Sequence, residues 1–252
     1  IRLARPDALL LLALLGLLTG LLAGGVIVLF RLFVEGTQDW LLPGTGPENY
    51  EQLPVWARFA LPLAAAGLLA IMFLRFAKGL HVLGVARIME RMAYHQGQCT
   101  RRGFLLQFFG AAFAIIGGHS VGREGPHIFL GAAAGSLLGQ QFSLPNNVIR
   151  ALVGCGTAAG IAASFNTPLA GVVFALEVVM MEYTVASFIP VILAAVSATT
   201  LSNLVFGNEP AFAVPLLEMA SMHELWLVLL LGVLAGAVSA AFIQAVQTTA
   251  RL

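Results

Sequence analysis

Apolar runs recur along the whole chain, and their lengths and breaks are its dominant pattern. They fall at residues 8–32, 53–76, 103–118, 125–138, 148–165, 168–181, 186–206 and 225–245, and each predicts a helix. Residues 82–94 differ: Arg87, Glu90 and Arg91 fall on one side at helical spacing, which predicts an amphipathic helix near a membrane interface. A helix needs about 20 apolar residues to cross the hydrocarbon of a bilayer. Several runs are shorter, and they come in pairs separated by Gly122 to Pro126 and by Asn166-Thr167-Pro168. Backbone broken inside a membrane leaves N–H and C=O groups unpaired, which is tolerated only in buried or cavity-lining positions. Short, interrupted helices therefore point to the core of a transporter or channel rather than to a simple bundle.

Composition supports an integral membrane protein in the lipid bilayer. Of 252 residues, 59% are hydrophobic and 10% charged, against about 25% charged in an ordinary soluble domain. A formal net charge of +1 gives no bulk field for a polyanion, so nucleic acid is not an expected partner. Cys99 and Cys155 make no disulfide framework, and no metal cluster, P-loop or dinucleotide fingerprint occurs, so no cofactor is expected. The first run is too long for a signal-peptide core and lacks a cleavage site after it. The 27 glycines suit close helix packing in lipid. The chain starts at Ile1 and ends at Arg251-Leu252 directly after an apolar run, which suggests a longer polypeptide.

Charge gives an expected orientation. Arg2 and Arg5 precede the first run, and Arg75, Lys78, Arg87, Arg91, Arg101 and Arg102 lie between the second and third. Glu35, Asp39, Glu48 and Glu51 follow the first run, and Glu209, Glu218 and Glu224 precede the last. By the positive-inside rule the N-terminus, the 75–102 region and the C-terminus are cytoplasmic, and the acidic loops lie outside. A plasma (inner) membrane location follows as the expectation.

Gly122-Arg123-Glu124-Gly125-Pro126 carries the candidate chemistry. Charges at such a depth cost ~2.5–3.5 kcal/mol each on insertion scales. The glycines allow tight turns and close approach to a ligand, and Pro126 fits a first helical turn. The five residues read as a helix N-terminus, whose free N–H groups and positive dipole end form an anion site. Glu124 then holds a carboxylate where an anion binds: ionised it occupies the site, protonated it can leave. The residues equally allow an Arg123–Glu124 salt bridge that only caps the helix.

Together with Ala163-Ser164-Phe165-Asn166-Thr167-Pro168-Leu169-Ala170-Gly171 about 40 residues later, this string resembles the CLC family of chloride channels and proton-coupled chloride transporters. The resemblance runs from about Leu9 to Gln247. It implies an all-α, multi-span membrane fold with short, broken helices. That fold is built of two inverted halves, works as a homodimer and has a chloride path in each subunit. Residues 1–252 would be the first half of that transmembrane domain. Glu124 matches the family's external gating glutamate, with Gly122, Arg123, Gly125 and Pro126 around the anion.

Three departures qualify the match. The family's first anion loop reads Gly-Ser-Gly-Ile-Pro, but the corresponding stretch here is 78–85, with Leu83 at the serine position. Backbone N–H groups of Leu83, Gly84 and Val85 remain candidate donors to an anion, which leaves anion selectivity open. His81 beside them reads as an interfacial residue or as a pH-sensitive cation at the inner mouth. The internal glutamate of exchangers, second of two consecutive Glu residues, is Val178 here, after Glu177. Glu177 reads as a structural partner at a helix end or as a relay, and Glu182, which could substitute, would face another side of a continuous helix. Finally, the second-half anion loop Gly-x-Phe-x-Pro is absent.

His119-Ser120 does not make a hydrolase, because adjacent helical residues point about 100° apart and no third orienting group stands out; Ser120 reads as a small residue near the anion path. The expected function is chloride transport through helix N-termini gated by Glu124, as a voltage- or pH-sensitive channel, not an enzyme. A potential of 100 mV does ~2.3 kcal/mol of work per charge, enough to bias a single carboxylate gate more than tenfold. The alternatives are a chloride/proton exchanger with a non-standard inner proton path, or a non-transporting half-subunit that needs a partner chain.

Overall fold

The computed structural model describes residues 6–44, 49–77, 84–208, 222 and 224–249, and every element among them is helical. In chain order these are α1 (Pro6–Leu41), a short 3-10 turn (Tyr50–Gln52), α2 (Val55–Phe76), α3 (Val85–Tyr94), α4 (Arg101–Ile116), α5 (Glu124–Gln141), α6 (Asn146–Phe165), α7 (Pro168–Phe174), a π-turn (Ala175–Met180), α8 (Val185–Phe206) and α9 (Glu224–Thr249). Each apolar run and the amphipathic segment thus becomes a helix. Among the described residues, five stretches are long and apolar enough to cross a membrane: Leu9–Leu41, Val55–Phe76, Asn146–Phe165, Ser187–Phe206 and Glu224–Thr249.

The chain divides into two units, Ile1–Ala211 and Phe212–Leu252. The second consists, among its described residues, of α9, which buries none of its side chains. At 26 residues α9 is about 39 Å long, more than a bilayer's hydrocarbon thickness.

In the first unit α6 is the centre, packed by α1, α5 and α8. Glycine sets these approaches. Gly131 and Gly135 of α5 lie one turn apart, as do Gly156 and Gly160 of α6, so two small-residue stripes face each other. A Cβ on Gly131 would strike the Gly156 carbonyl, and one on Gly156 the Gly131 carbonyl. The seam between α1 and α8 repeats this, with Gly16, Gly20 and Gly24 against Pro190, Ala194 and Ala198. Without a hydrophobic driving force between helices in lipid, such close backbone packing is what holds them together.

Two differences from the sequence reading bear on function. First, α1 does not stop near residue 32 but continues to Leu41. Glu35 and Asp39, read above as loop acids, therefore lie in its last turns. Arg31 pairs with Glu35 at i,i+4, Nε to Oε1 3.2 Å, and Gln38 Nε2 donates to Tyr50 Oη at 2.8 Å, so charged and polar side chains extend the helix. Glu224 likewise opens α9 rather than lying in a loop. Second, α7 passes into a π-turn and ends at Met181 with φ +54°, so the segment after it does not continue one helical face.

The link before α4 is tied to α5. Ser136 Oγ accepts from the Cys99 N–H at 2.8 Å and donates to the Gly97 carbonyl at 2.6 Å. Thr100 caps α4 by accepting from the Gly103 N–H at 3.1 Å.

Candidate functional site

The break between α4 and α5 places the motif at a helix start. Gly118 turns the chain with φ +75°, and Glu124 opens α5 behind Arg123, which caps it without a side-chain bond. The first main-chain bond of the helix runs from the His127 N–H to the Arg123 carbonyl, 3.1 Å. Glu124 and Gly125 therefore keep N–H groups without a helical partner, and Pro126 has none to lose. These two donors and the dipole make the first turn attractive to a negative charge.

Glu124 is exposed and makes no hydrogen bond or ion pair among the described residues. Its carboxylate bends back over Gly122, and a Cβ there would collide with Glu124 Oε2. Gly125 has open space where its Cβ would be. The glycines on either side thus leave the carboxylate room to rest on one side and an unfilled volume on the other. Arg123 pairs with Glu35 of α1, 3.8 Å from its Nη1 to Oε1. Glu35 also holds Arg31, whose guanidinium lies 3.8 Å over the Phe206 ring. This half-buried cluster anchors the start of α5 to the end of α1, and sequence reasoning missed it because Glu35 looked like a loop residue.

The other sequence candidates are more scattered. Ser120 is exposed in the link before α5. Gly84, with φ +83° and ψ −158°, caps α3, and Val85 is its first residue; they form a different helix start from Glu124. Leu83 and His81 lie outside the described residues. Glu177 is exposed in the π-turn and has no ion pair among the described residues, so a structural partner for it is not found there.

The expectation that Glu182 faces away from Val178 needs correction. The π-turn and the left-handed Met181 turn the chain, and Val178 and Glu182 line one cavity of about 280 Å³ together with Met89, Met92 and Arg150. Arg150 and Glu182 are 3.9 Å apart at its rim. On α3 nearby, the Arg87 guanidinium bonds Glu90 at 2.6 Å and holds its carboxyl below the usual range.

Sequence reasoning also passed over a buried pair below the motif. His127, one turn along α5, is buried, and its ring stacks edge-on against Phe30 with centroids 5.2 Å apart. Its Nδ1 lies 2.5 Å from Ser164 Oγ of α6. The i,i+3 spacing from Glu124 was the available signal.

The chain resembles known proteins over most of its length. It matches the profile of the voltage gated chloride channel family over residues 62–252. A ClcB-like chloride channel protein of Ralstonia nicotianae is 37% identical over 189 residues, 73% of this chain and 44% of that protein. The H(+)/Cl(-) exchange transporter ClcA of Vibrio cholerae is 33% identical over 230 residues, 88% of this chain and 48% of that protein. The fold is similar to that of a CLC-type fluoride/proton antiporter, with TM-score 0.75 and 24% identity over 95% of this chain and 58% of that one. It is also similar to a slow cyanobacterial Cl-/H+ antiporter, with TM-score 0.70 and 21% identity over 90% of this chain and 54% of that one. The chain spans about half the length of the curated relatives it matches. With the broken helices, the motif at the start of α5 and the profile match in place, the chain belongs to the CLC family of voltage gated chloride channels.

Proposed function

We propose that the protein exchanges chloride for protons across a membrane, with Glu124 as both anion gate and proton carrier. The carrying observation is an unpaired carboxylate on the first turn of α5, beside two free N–H donors and the open space at Gly125. Chloride and the ionised carboxylate compete for the same positive helix end. When chloride takes that position, the carboxylate is displaced and binds a proton more readily, because the neutral acid is not repelled by the anion. Chloride passing the gate in one direction is then coupled to a proton carried on Glu124 in the other.

A V. cholerae relative is named as a proton/chloride exchanger, which favours exchange over the passive channel that Val178 alone suggests. Glu182 supplies a carboxylate at the cavity that Val178 lines, so the inner proton path need not use the usual position. The homodimer and the gating by voltage or pH belong to the same proposal. The test is proton movement in liposomes holding the purified protein under a chloride gradient. Exchange predicts proton pumping driven by chloride, and its loss in Glu124→Ala with chloride flux retained. Chloride flux without any proton movement in the wild type would overturn exchange.

A further inference from the structure

We propose that Glu35 is a positioning residue for the gate: its carboxylate draws Arg123 toward α1 and sets the pH at which the gate opens. This rests on the gate reading of Glu124 above and extends it to a residue outside the motif. Glu35 stands between two guanidinium groups. Arg31 Nε lies 3.2 Å from its Oε1, and Arg123 Nη1 lies 3.8 Å from the same oxygen. Arg31 is held on its other side by the Phe206 ring of α8, whose centroid is 3.8 Å away. Three helices thus meet at one carboxylate. The side chains are 21% (Glu35), 25% (Arg31) and 31% (Arg123) exposed, so bulk salt screens their charges less than it would on an open surface.

Arg123 carries this cluster to the gate. Its carbonyl accepts the first main-chain bond of α5, from the His127 N–H at 3.1 Å, and its side chain adds no cap of its own. Glu124 is the next residue, its Cα about 3.8 Å further along the trans chain. Neighbouring residues on a helix do not face each other. The guanidinium held on α1 therefore lies beside the gate and acts on it through space, not as a salt bridge. In keeping with this, Glu124 makes no ion pair among the described residues. The field also reaches past the gate, because the charges of Arg123 and Arg31 both act on the His127 ring, one turn into α5. Glu124, between Arg123 and His127 on the same turn, lies within that field.

Charge alone fixes the direction of the effect. The two guanidinium groups favour an ionised gate, and the Glu35 carboxylate opposes them. Removing the Glu35 charge favours the ionised form of Glu124, so more acid is needed to protonate it. Removing the Arg31 charge does the reverse. The other groups at this corner, among the described residues, form a constant background. α1 adds Asp39, exposed one turn beyond Glu35, and α5 adds the buried His127. The link before α5 adds His119, whose Nδ1 lies 3.2 Å from the Ala114 carbonyl, and Tyr50 donates to the Ile115 carbonyl of α4 at 2.8 Å. The ends of α6 and α8 contribute the neutral pair Asn166 and Asn208, 3.1 Å apart.

The test is chloride flux across a range of pH in liposomes holding the full-length protein. Glu35→Gln keeps the shape of the side chain and an oxygen that still accepts from Arg31 and Arg123, so the seam is retained while the charge is lost. Its flux midpoint is expected about half a pH unit below that of the wild type, the effect of one unit charge across roughly a Debye length. Arg31→Gln is expected to move the midpoint the other way by a similar amount. A cluster that only braced the fold would alter expression or stability and leave both midpoints in place. Unshifted midpoints in the transporting variants, or shifts of the same sign, overturn this proposal alone. If Glu35→Gln does not fold, Arg31→Gln decides by its own shift. A wild-type chloride flux that does not change with pH overturns the gate reading and this proposal with it. A pH-dependent chloride flux without proton movement overturns exchange and leaves the role of Glu35 standing.

Discussion

Replacing Gly156 by Ala tests the packing that positions the motif. The added Cβ points at the Gly131 carbonyl of α5 and comes within 3.2 Å of Ala132 Cα. Both neighbours are backbone, which cannot rotate away as a side chain can. Overpacking a tight interior costs typically about 1–3 kcal/mol, and the rigid neighbours place this substitution near the upper end. A gain of about 1 kcal/mol from the better helix propensity of alanine partly offsets it. The net expectation is a loss of about 2 kcal/mol, or more than a tenfold shift in the unfolding equilibrium. Gly25→Ala is the control: its Cβ meets nothing closer than Leu201 Cδ2 at 3.9 Å, so only the propensity gain remains. Unfolding in detergent micelles, followed by helical circular dichroism for both variants, separates the two cases. Equal stability of Gly156→Ala and Gly25→Ala would refute the view that direct backbone contact at the glycine seam holds α5 against α6.

Ser136→Ala removes the acceptor of the buried Cys99 N–H and is expected to destabilise by about 1–3 kcal/mol, measurable in the same unfolding assay. Burial pushes the Cys99 thiol up, against the smaller effect of its bond to Ser136. A thiol whose folded value is raised favours the folded state while neutral, and that contribution is lost as pH rises above its unfolded range near 9. At pH 7–8 a maleimide should therefore label Cys99 slowly in the folded protein and readily after denaturation; rapid labelling of the folded protein would contradict its burial.

Most of the fold was legible because hydrophobic runs and Gly/Pro breaks are local signals. The motif at 122–126 was legible for the same reason, since helix-start chemistry is written in consecutive residues. What escaped was carried by contacts distant in sequence. Glu35 looked like part of an acidic loop, yet its i,i+4 partner Arg31 keeps it on α1 and lets it reach Arg123, 88 positions away. His127 sits in an apolar run, marked only by its i,i+3 spacing from Glu124, and its partner Ser164 is 37 residues on. The π-turn after α7 has no compositional signature, so the return of Glu182 to the cavity beside Val178 could not be read from helical periodicity.

The most direct measurement is the reversal potential of the purified protein in a planar bilayer with equal chloride on both sides and a pH gradient across it. Exchange gated by Glu124 predicts a reversal potential displaced from zero by the pH gradient in the wild type, and a return to zero in Glu124→Gln. A wild-type reversal potential that stays at zero, the value set by chloride alone, would contradict it.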